Sequence, residues 1–432
     1  MDIKTSNVLK YTFMIIPFKI NERIICDNVV NSGFFEYVDH KRIKYDRLYK
    51  HVAANIYEEN PSRTIYDFWV NMKNALPEYY QKVLTFEVKD NEKKSYSTSG
   101  YIKDIFAYYF VNGIGFIVIN FVYDELTTIN VMEEVVNKLK KINRVQDNAT
   151  FEIKDGDKII DLFSLINKIK ENLNPNCDLF FQHSNKKYVS AILLNSFTFF
   201  DKPNETDILH HLECLKRSQG DSYGTFEELG DKHLRPFKNM YWGFSTQGIA
   251  NVNYNDKTVG NFEFYKKFYK NVKREYLLMM LLVLNQEYTL LDYCQKFSST
   301  DDDLPDNEDL NRLYSFKINS TFTTVSHLEH YREFYSKYFK ELGVQDILEE
   351  VNNKQNSIYL TNKNRLADKK AQKDKNINRF TKVLSVILSI FGITGLINNV
   401  ASLIVRDNAI EIYYDLCVSS QKKYSEFFHK RI

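Results

Sequence analysis

With 432 residues the chain is long enough for two or three domains, and its 44% apolar and 26% charged residues suit globular domains with sizeable cores. Lys and Arg (58) nearly balance Asp and Glu (56), so the net charge of +2 excludes a global argument for nucleic-acid binding and leaves only local basic surfaces. The five cysteines, Cys26, Cys177, Cys214, Cys294 and Cys417, are scattered and never form CxxC, which implies neither a zinc site nor a disulfide framework.

In chain order, MDIKTSN followed by a Pro-interrupted apolar stretch does not read as a signal peptide. Tyr11–Ile20 reads as a buried strand with Pro17 at an edge or bulge. Helical patterns follow around Arg47–Glu58 and Ile65–Ala75. Ile105–Val111 and Ile114–Val122 are β-rich runs separated by Asn112-Gly113, the pair most favoured in a tight type I′ turn. Ile129–Arg144 is an amphipathic helix that Thr127 or Thr128 can cap. Asp155-Gly156 marks a further turn before a helix from about Ile159 to Leu173. Phe180–Gln182, Tyr188–Phe200 and Tyr241–Ser245 resume strand character.

Character changes near residue 260. Phe262–Phe297 reads as one long helix whose apolar centre, Tyr276–Leu284, is too short to span a bilayer and is therefore buried in protein. Ser298–Asp309, with Pro305 and its aspartates, reads as a solvated loop. Val325–Leu342 places Leu328, Tyr331, Phe334, Tyr335 and Tyr338 on one helical face. The pattern predicts an α+β chain: an N-terminal mixed α/β sensor domain over residues 1–258, then a long helical stalk over 259–380.

Two stretches concentrate binding-type residues. Residues 233–252 (HLRPFKNMYWGFSTQGIANV) gather Arg235, Lys238, Tyr241, Trp242 and Gln247 between glycines, a mixture suited to an anionic or nucleotide-like signal and equally to an edge strand with a buried Trp. Asp207, His210, His211 and Glu213 share helical faces and are the densest set of metal-ligand types, although HExxH is absent and a surface helix explains them as well. Gly113-Ile-Gly115 is explained by the hairpin, no P-loop is present, and no nucleophile elbow surrounds Ser245. The chain is therefore not read as an enzyme, and no cofactor is assigned.

Val383–Val405 (VLSVILSIFGITGLINNVASLIV) contains no charge over 23 residues. At about 1.5 Å per residue, a helix of this length crosses a bilayer's hydrocarbon core. Val383, Val386, Ile390, Ile393, Ile397, Val400 and Ile404 form a β-branched a/d stripe of coiled-coil type, which predicts a homo-oligomer. Ser385, Ser389, Gly392, Gly395 and Asn399 lie opposite and would form a pore lining or helix interface. Lys363–Lys382 holds eight cations against Asp368 and Asp374, which by the positive-inside rule orients the preceding body to the cytoplasm. The expectation is one transmembrane helix at 381–406 in the cell membrane, in contact with lipid, and a short C-terminal helix at 407–432.

Arranged this way, the chain resembles the CorA-like superfamily of divalent-cation channels. The residues that carry the likeness are FYKKFYKNVKREYLLMMLLVLNQEYTLLDY (264–293), VSHLEHYREFYSKYF (325–339) and RFTKVLSVILSIFGITGLI (379–397). The family's Gly-Met-Asn signature and second membrane helix are missing, so magnesium selectivity does not carry over. The resemblance implies a membrane-anchored oligomeric ion channel or effector gated by its cytoplasmic domain, of the type found in bacterial antiviral defence. The alternative is an interaction or sensor protein that oligomerises through its C-terminal helix.

Overall fold

The computed structural model describes residues 8–20, 26–38, 45–57, 63–89, 94–142, 150–179, 182–183, 188–218, 230–255, 263–297, 307–390 and 406. The chain divides into two compact units, Met1–Gln355 and Asn356–Ile432.

The first unit is built on a 13-stranded sheet, counted among the described residues. Its first strand, β1 (Lys10–Ile20), is followed by α1 (Cys26–Asn31), β2 (Phe35–Tyr37), α2 (Lys50–Ala53), β3 (Ile65–Val70) and α3 (Met72–Ala75). The expected helix at Ile65–Ala75 is thus mostly strand. IYDFWV buries Ile65, Asp67, Phe68 and Val70 and leaves Trp69 exposed, and β3 pairs with the next hairpin from Ile65↔Phe110 to Trp69↔Phe106. Among the described residues, the helix expected at Arg47–Glu58 is reduced to the short α2.

Next come β4 (Leu84–Lys89), β5 (Ser95–Phe110) and β6 (Ile114–Tyr123), with Asn112-Gly113 at the β5–β6 turn. They lead to α4 (Ile129–Leu139), β7 (Lys141–Ile142), β8 (Thr150–Asp155), β9 (Lys158–Ile159) and α5 (Leu162–Leu173). The short strands β10 (Cys177–Leu179), β11 (Gln182–His183) and β12 (Tyr188–Ser190) precede β13 (Ile192–Phe199) and α6 (Glu205–Arg217). β14 (His233–Phe237), β15 (Met240–Ser245) and β16 (Gly248–Tyr254) complete the sheet, in the order β14-β15-β16-β13-β1-β6-β5-β4-β8-β9. The β13–β16 pairing is parallel.

β1 is central, flanked by β6 and β13, which explains why its apolar run is nearly continuous. Pro17 lies in this central strand, not at an edge. It falls between the end of the β13 ladder at Ile15 and the start of the β10 ladder at Phe18, where no partner among the described residues requires its missing N–H.

Alternation sorts the strand side chains between two helical layers. Met14, Ile16 and Phe18 join Ile117, Ile119, Phe121 and the apolar faces of α4, α5 and α6 in one core. Tyr11 and Phe13 point the other way, onto Tyr269 of α7 (Glu263–Asn271), with ring centroids 5.0 and 6.3 Å apart. A π-helical turn, Val272–Tyr276, joins α7 to α8 (Leu277–Lys296); α9 (Asn307–Asn319), α10 (Glu329–Glu341) and α11 (Val344–Ile390) follow.

The expected stalk is overturned. Residues 277–284 are apolar all round because α8 is buried against the sheet: Phe116 of β6 meets Tyr288 at 6.2 Å, and Trp242 of β15 meets Phe334 of α10 at 4.9 Å. α7, α8 and α10 are a layer of this unit, not an arm leaving it. The transmembrane expectation, and with it single-pass placement in a cell membrane, is likewise overturned. Among the described residues no helix is long and apolar enough to cross a membrane. α11 is long, but its segment 363–382 is dense in Lys and Arg. Only Val383–Ile390 of the apolar run belongs to it; residues 391–405 and the helix expected at 407–432 lie outside the described residues, save Arg406.

Candidate functional site

At one end of the sheet a cleft of about 330 Å³ opens between the β5–β6 turn, the end of β1, and the α8–α9 pair. The turn is built for this place. Gly113 has φ +94°, and a Cβ there would sit 2.7 Å from the carbonyl oxygen of Ile20. The Ile20 amide donates to the Gly113 carbonyl at 2.8 Å, closing β1 under the turn. The Asn112 side-chain amide donates to Asn285 Oδ1 (3.0 Å) and to Thr289 Oγ1 (2.7 Å), pinning the turn to α8.

Three cations line the cleft, Lys19, Lys296 and Arg312, against one carboxylate, Asp292. Lys19 pairs with Asp292 across the gap, and Asp292 lies one helical turn from Lys296, at 3.5 Å. Lys296 also approaches Asp309 at 3.5 Å and sits 5.2 Å over the Tyr293 ring. Burial, then Asp309 and Asp292, push the Tyr293 phenol up to about 12, Arg312 opposing. Tyr293 therefore stays neutral and able to donate a hydrogen bond at neutral pH. Tyr109 and Phe316 add aromatic wall, and Thr64, Ser315 and Asn319 add neutral polar groups. Such a space can hold a small anion together with a flat ring.

Of the residues expected to clasp a signal, Arg235, Lys238 and Tyr241 are brought together, whereas Trp242 and Gln247 lie apart from them. Tyr241 and Trp242 are neighbours on β15 and face opposite layers. Tyr241 belongs to the α4–α6 core, and its hydroxyl donates to Glu205 at 3.4 Å. Trp242 is fully buried on the other side, stacked on Tyr276 at 4.7 Å. Arg235 pairs with Glu205 (2.9 Å), lies over the Tyr241 ring, and donates to the Lys238 carbonyl. Gln247 sits at the β15–β16 turn, where its amide oxygen accepts from Lys140.

The four expected metal ligands are spread around α6. Asp207 accepts from Asn204 at 3.3 Å on the exposed side. His211 reaches Glu133 of α4 at 2.8 Å, and His210 Nε2 lies 3.8 Å from Cys214 Sγ. Glu213 turns inward to His233 (2.6 Å) and Lys216 (2.5 Å), all three nearly inaccessible to water. Among the described residues no group of three His, Cys, Asp or Glu side chains could hold a metal. The Gly230 amide donates to His233 Nδ1 at 3.2 Å, so Nε2 carries the ring proton and donates to Glu213. Burial alone would raise the Glu213 carboxyl; hydrogen bonds from His233 and Lys216 outweigh it and hold the group at about 2. Glu213 and Lys216 form a buried ion pair within α6, and the His233 hydrogen bond ties it to β14.

Of the expected pore or interface residues, Ser385 is exposed on α11 and its hydroxyl donates to the Lys382 carbonyl at 2.9 Å. Ser389 lies within α11. Gly392, Gly395 and Asn399 lie outside the described residues.

The charged residues of the cleft escape sequence reading because they come from β1, α8 and α9, far apart in the chain. The legible signals were the Asn112-Gly113 turn and the i,i+4 spacing of Asp292 and Lys296. No protein-family model, curated protein or solved structure matches the chain, so the CorA-like resemblance rests on residue pattern alone.

Proposed function

We propose that this chain is a sensor protein whose first unit binds a small anionic ligand bearing an aromatic ring, of the class of a nucleoside monophosphate, in the cleft between the β5–β6 turn and α8–α9. The observation that carries this reading is the lining itself: three cations and one carboxylate around a walled space that also presents Tyr109, Tyr293 and Phe316. Its volume is at the low end for small-molecule sites, which favours a mononucleotide over a dinucleotide.

The surroundings supply a route for a response. Phe316 and Arg312 stand on α9 in the cleft wall, while Lys317 donates to Asn352 and Gln355 near the start of α11, at 2.6 Å each. Lys354 of α11 donates to the Cys294 carbonyl of α8 at 3.4 Å. A ligand that draws α9 toward α8 would favour one seating of the α11 base over another, which is what a sensor requires.

Thermal unfolding of the intact chain with a nucleoside monophosphate, the matching nucleoside and inorganic phosphate tests the proposal. The monophosphate should raise Tm most, and Arg312→Ala should cut its affinity about 10- to 100-fold, the loss of one charge-assisted contact. An unchanged Tm with all three compounds contradicts the reading.

A further inference from the structure

We propose that residues 359–384 of α11 form one strand of a heterotypic coiled coil whose other strand is an acidic amphipathic helix of a different protein. The inference concerns the second unit and stands apart from the cleft. Tyr359, Lys363, Leu366, Lys370, Lys373, Ile377, Phe380 and Leu384 follow one another in alternating steps of four and three, the heptad seam spacing. All eight lie within one unbroken helix, and all are exposed, Leu366 at 68% and Phe380 at 69%. A helix surrounded by water gains nothing from an apolar stripe at this spacing, whereas a helix with a partner buries it.

Charge decides what kind of partner. Segment 363–382 carries eight cations and two carboxylates. Two copies packed in parallel would set Lys363, Lys370 and Lys373 each against itself. Packed antiparallel, Leu366 would meet Ile377, but Lys370 would still face Lys373 at the centre, and both flanks would repel. A helix with Leu opposite the apolar seam positions and Glu opposite the three lysines satisfies both features at once. The lysines thereby select the partner, since like charges on the wrong helix are repulsive.

The test uses the intact chain and two synthetic helical peptides about four heptads long, with Leu opposite Leu366, Ile377, Phe380 and Leu384. One peptide carries Glu and the other Lys opposite Lys363, Lys370 and Lys373. The Glu peptide should bind more than about 100-fold tighter than the Lys peptide, and more weakly as salt is raised. The combined substitution Lys363→Glu, Lys370→Glu and Lys373→Glu should reverse that preference, and Leu366→Ser with Phe380→Ser should abolish binding of both. All these positions are exposed, so the variants keep the fold. Three results would overturn the proposal: equal binding of both peptides, stable self-association of the chain that Leu366→Ser with Phe380→Ser disrupts, or failure of the Glu peptide alongside tight binding to duplex DNA or anionic vesicles that survives those serine substitutions.

Discussion

Glu213 accepts from His233 and Lys216 where water hardly reaches, and a neutral side chain in its place would leave Lys216 buried without its counter-charge. Breaking such a pair from one side costs about 3–5 kcal/mol. Glu213→Gln should lower unfolding stability by that order in urea titrations; a loss below about 1 kcal/mol would show that Lys216 finds another partner. The carboxyl is held at about 2 against an ordinary 4.5, so its contribution is present above pH 4.5 and is lost as pH falls from there toward 2. Glu287 on α8 behaves oppositely. Burial raises its carboxyl to about 7, so the folded chain binds the extra proton and stability declines as pH rises from about 4.5 to 7. Glu287→Gln should remove that decline and stabilise the protein at pH 8 by on the order of 1–2 kcal/mol, read from the pH dependence of the urea midpoint. An unchanged profile would show that Glu287, which is half-buried, is hydrated well enough to titrate normally.

Local chemistry made several elements legible and left others opaque. The β5–β6 hairpin shows in the sequence because Asn112-Gly113 separates two β-rich runs, and its ladder runs from Gly100↔Tyr123 to Tyr109↔Gly115. Gly115 adds a requirement that hairpin rules do not reveal: a Cβ there would lie 2.1 Å from Phe18 Cζ and 2.7 Å from the Tyr108 carbonyl oxygen. Gly115→Ala should therefore cost roughly 1–3 kcal/mol through overpacking, measured by thermal unfolding. A neutral effect would mean that the Phe18 ring and the Tyr108 backbone both yield freely. The helices α4, α5 and α8 are legible by the same local logic, as periodic or continuous apolar stretches. β3 is not, because IYDFWV fits a helical face nearly as well as a strand, and its pairing with β5 is a long-range contact. The π-turn at Val272–Tyr276 leaves no sequence signal either, yet it places Lys273 within 2.7 Å of Asp104 on β5.

At the scale of the whole molecule, the sequence marks where apolar surface is buried more clearly than what buries it. The run through α8 needed a cover, and a sheet provides it, which is why a stalk was expected where a layer is found. The candidate site was the least legible part. Residues 233–252 gather binding-type side chains along the chain, but β-strand alternation sends Tyr241 and Trp242 to opposite layers. Lys19, Asp292, Lys296 and Arg312 are far apart in sequence and meet only in the fold. Hydrogen exchange of the intact chain with and without a nucleoside monophosphate tests the sensor reading most directly. The account predicts slower exchange at residues 111–114, 289–296 and 312–320, extending to the α11 base at 352–355; protection confined to 233–252, or none anywhere, would contradict it.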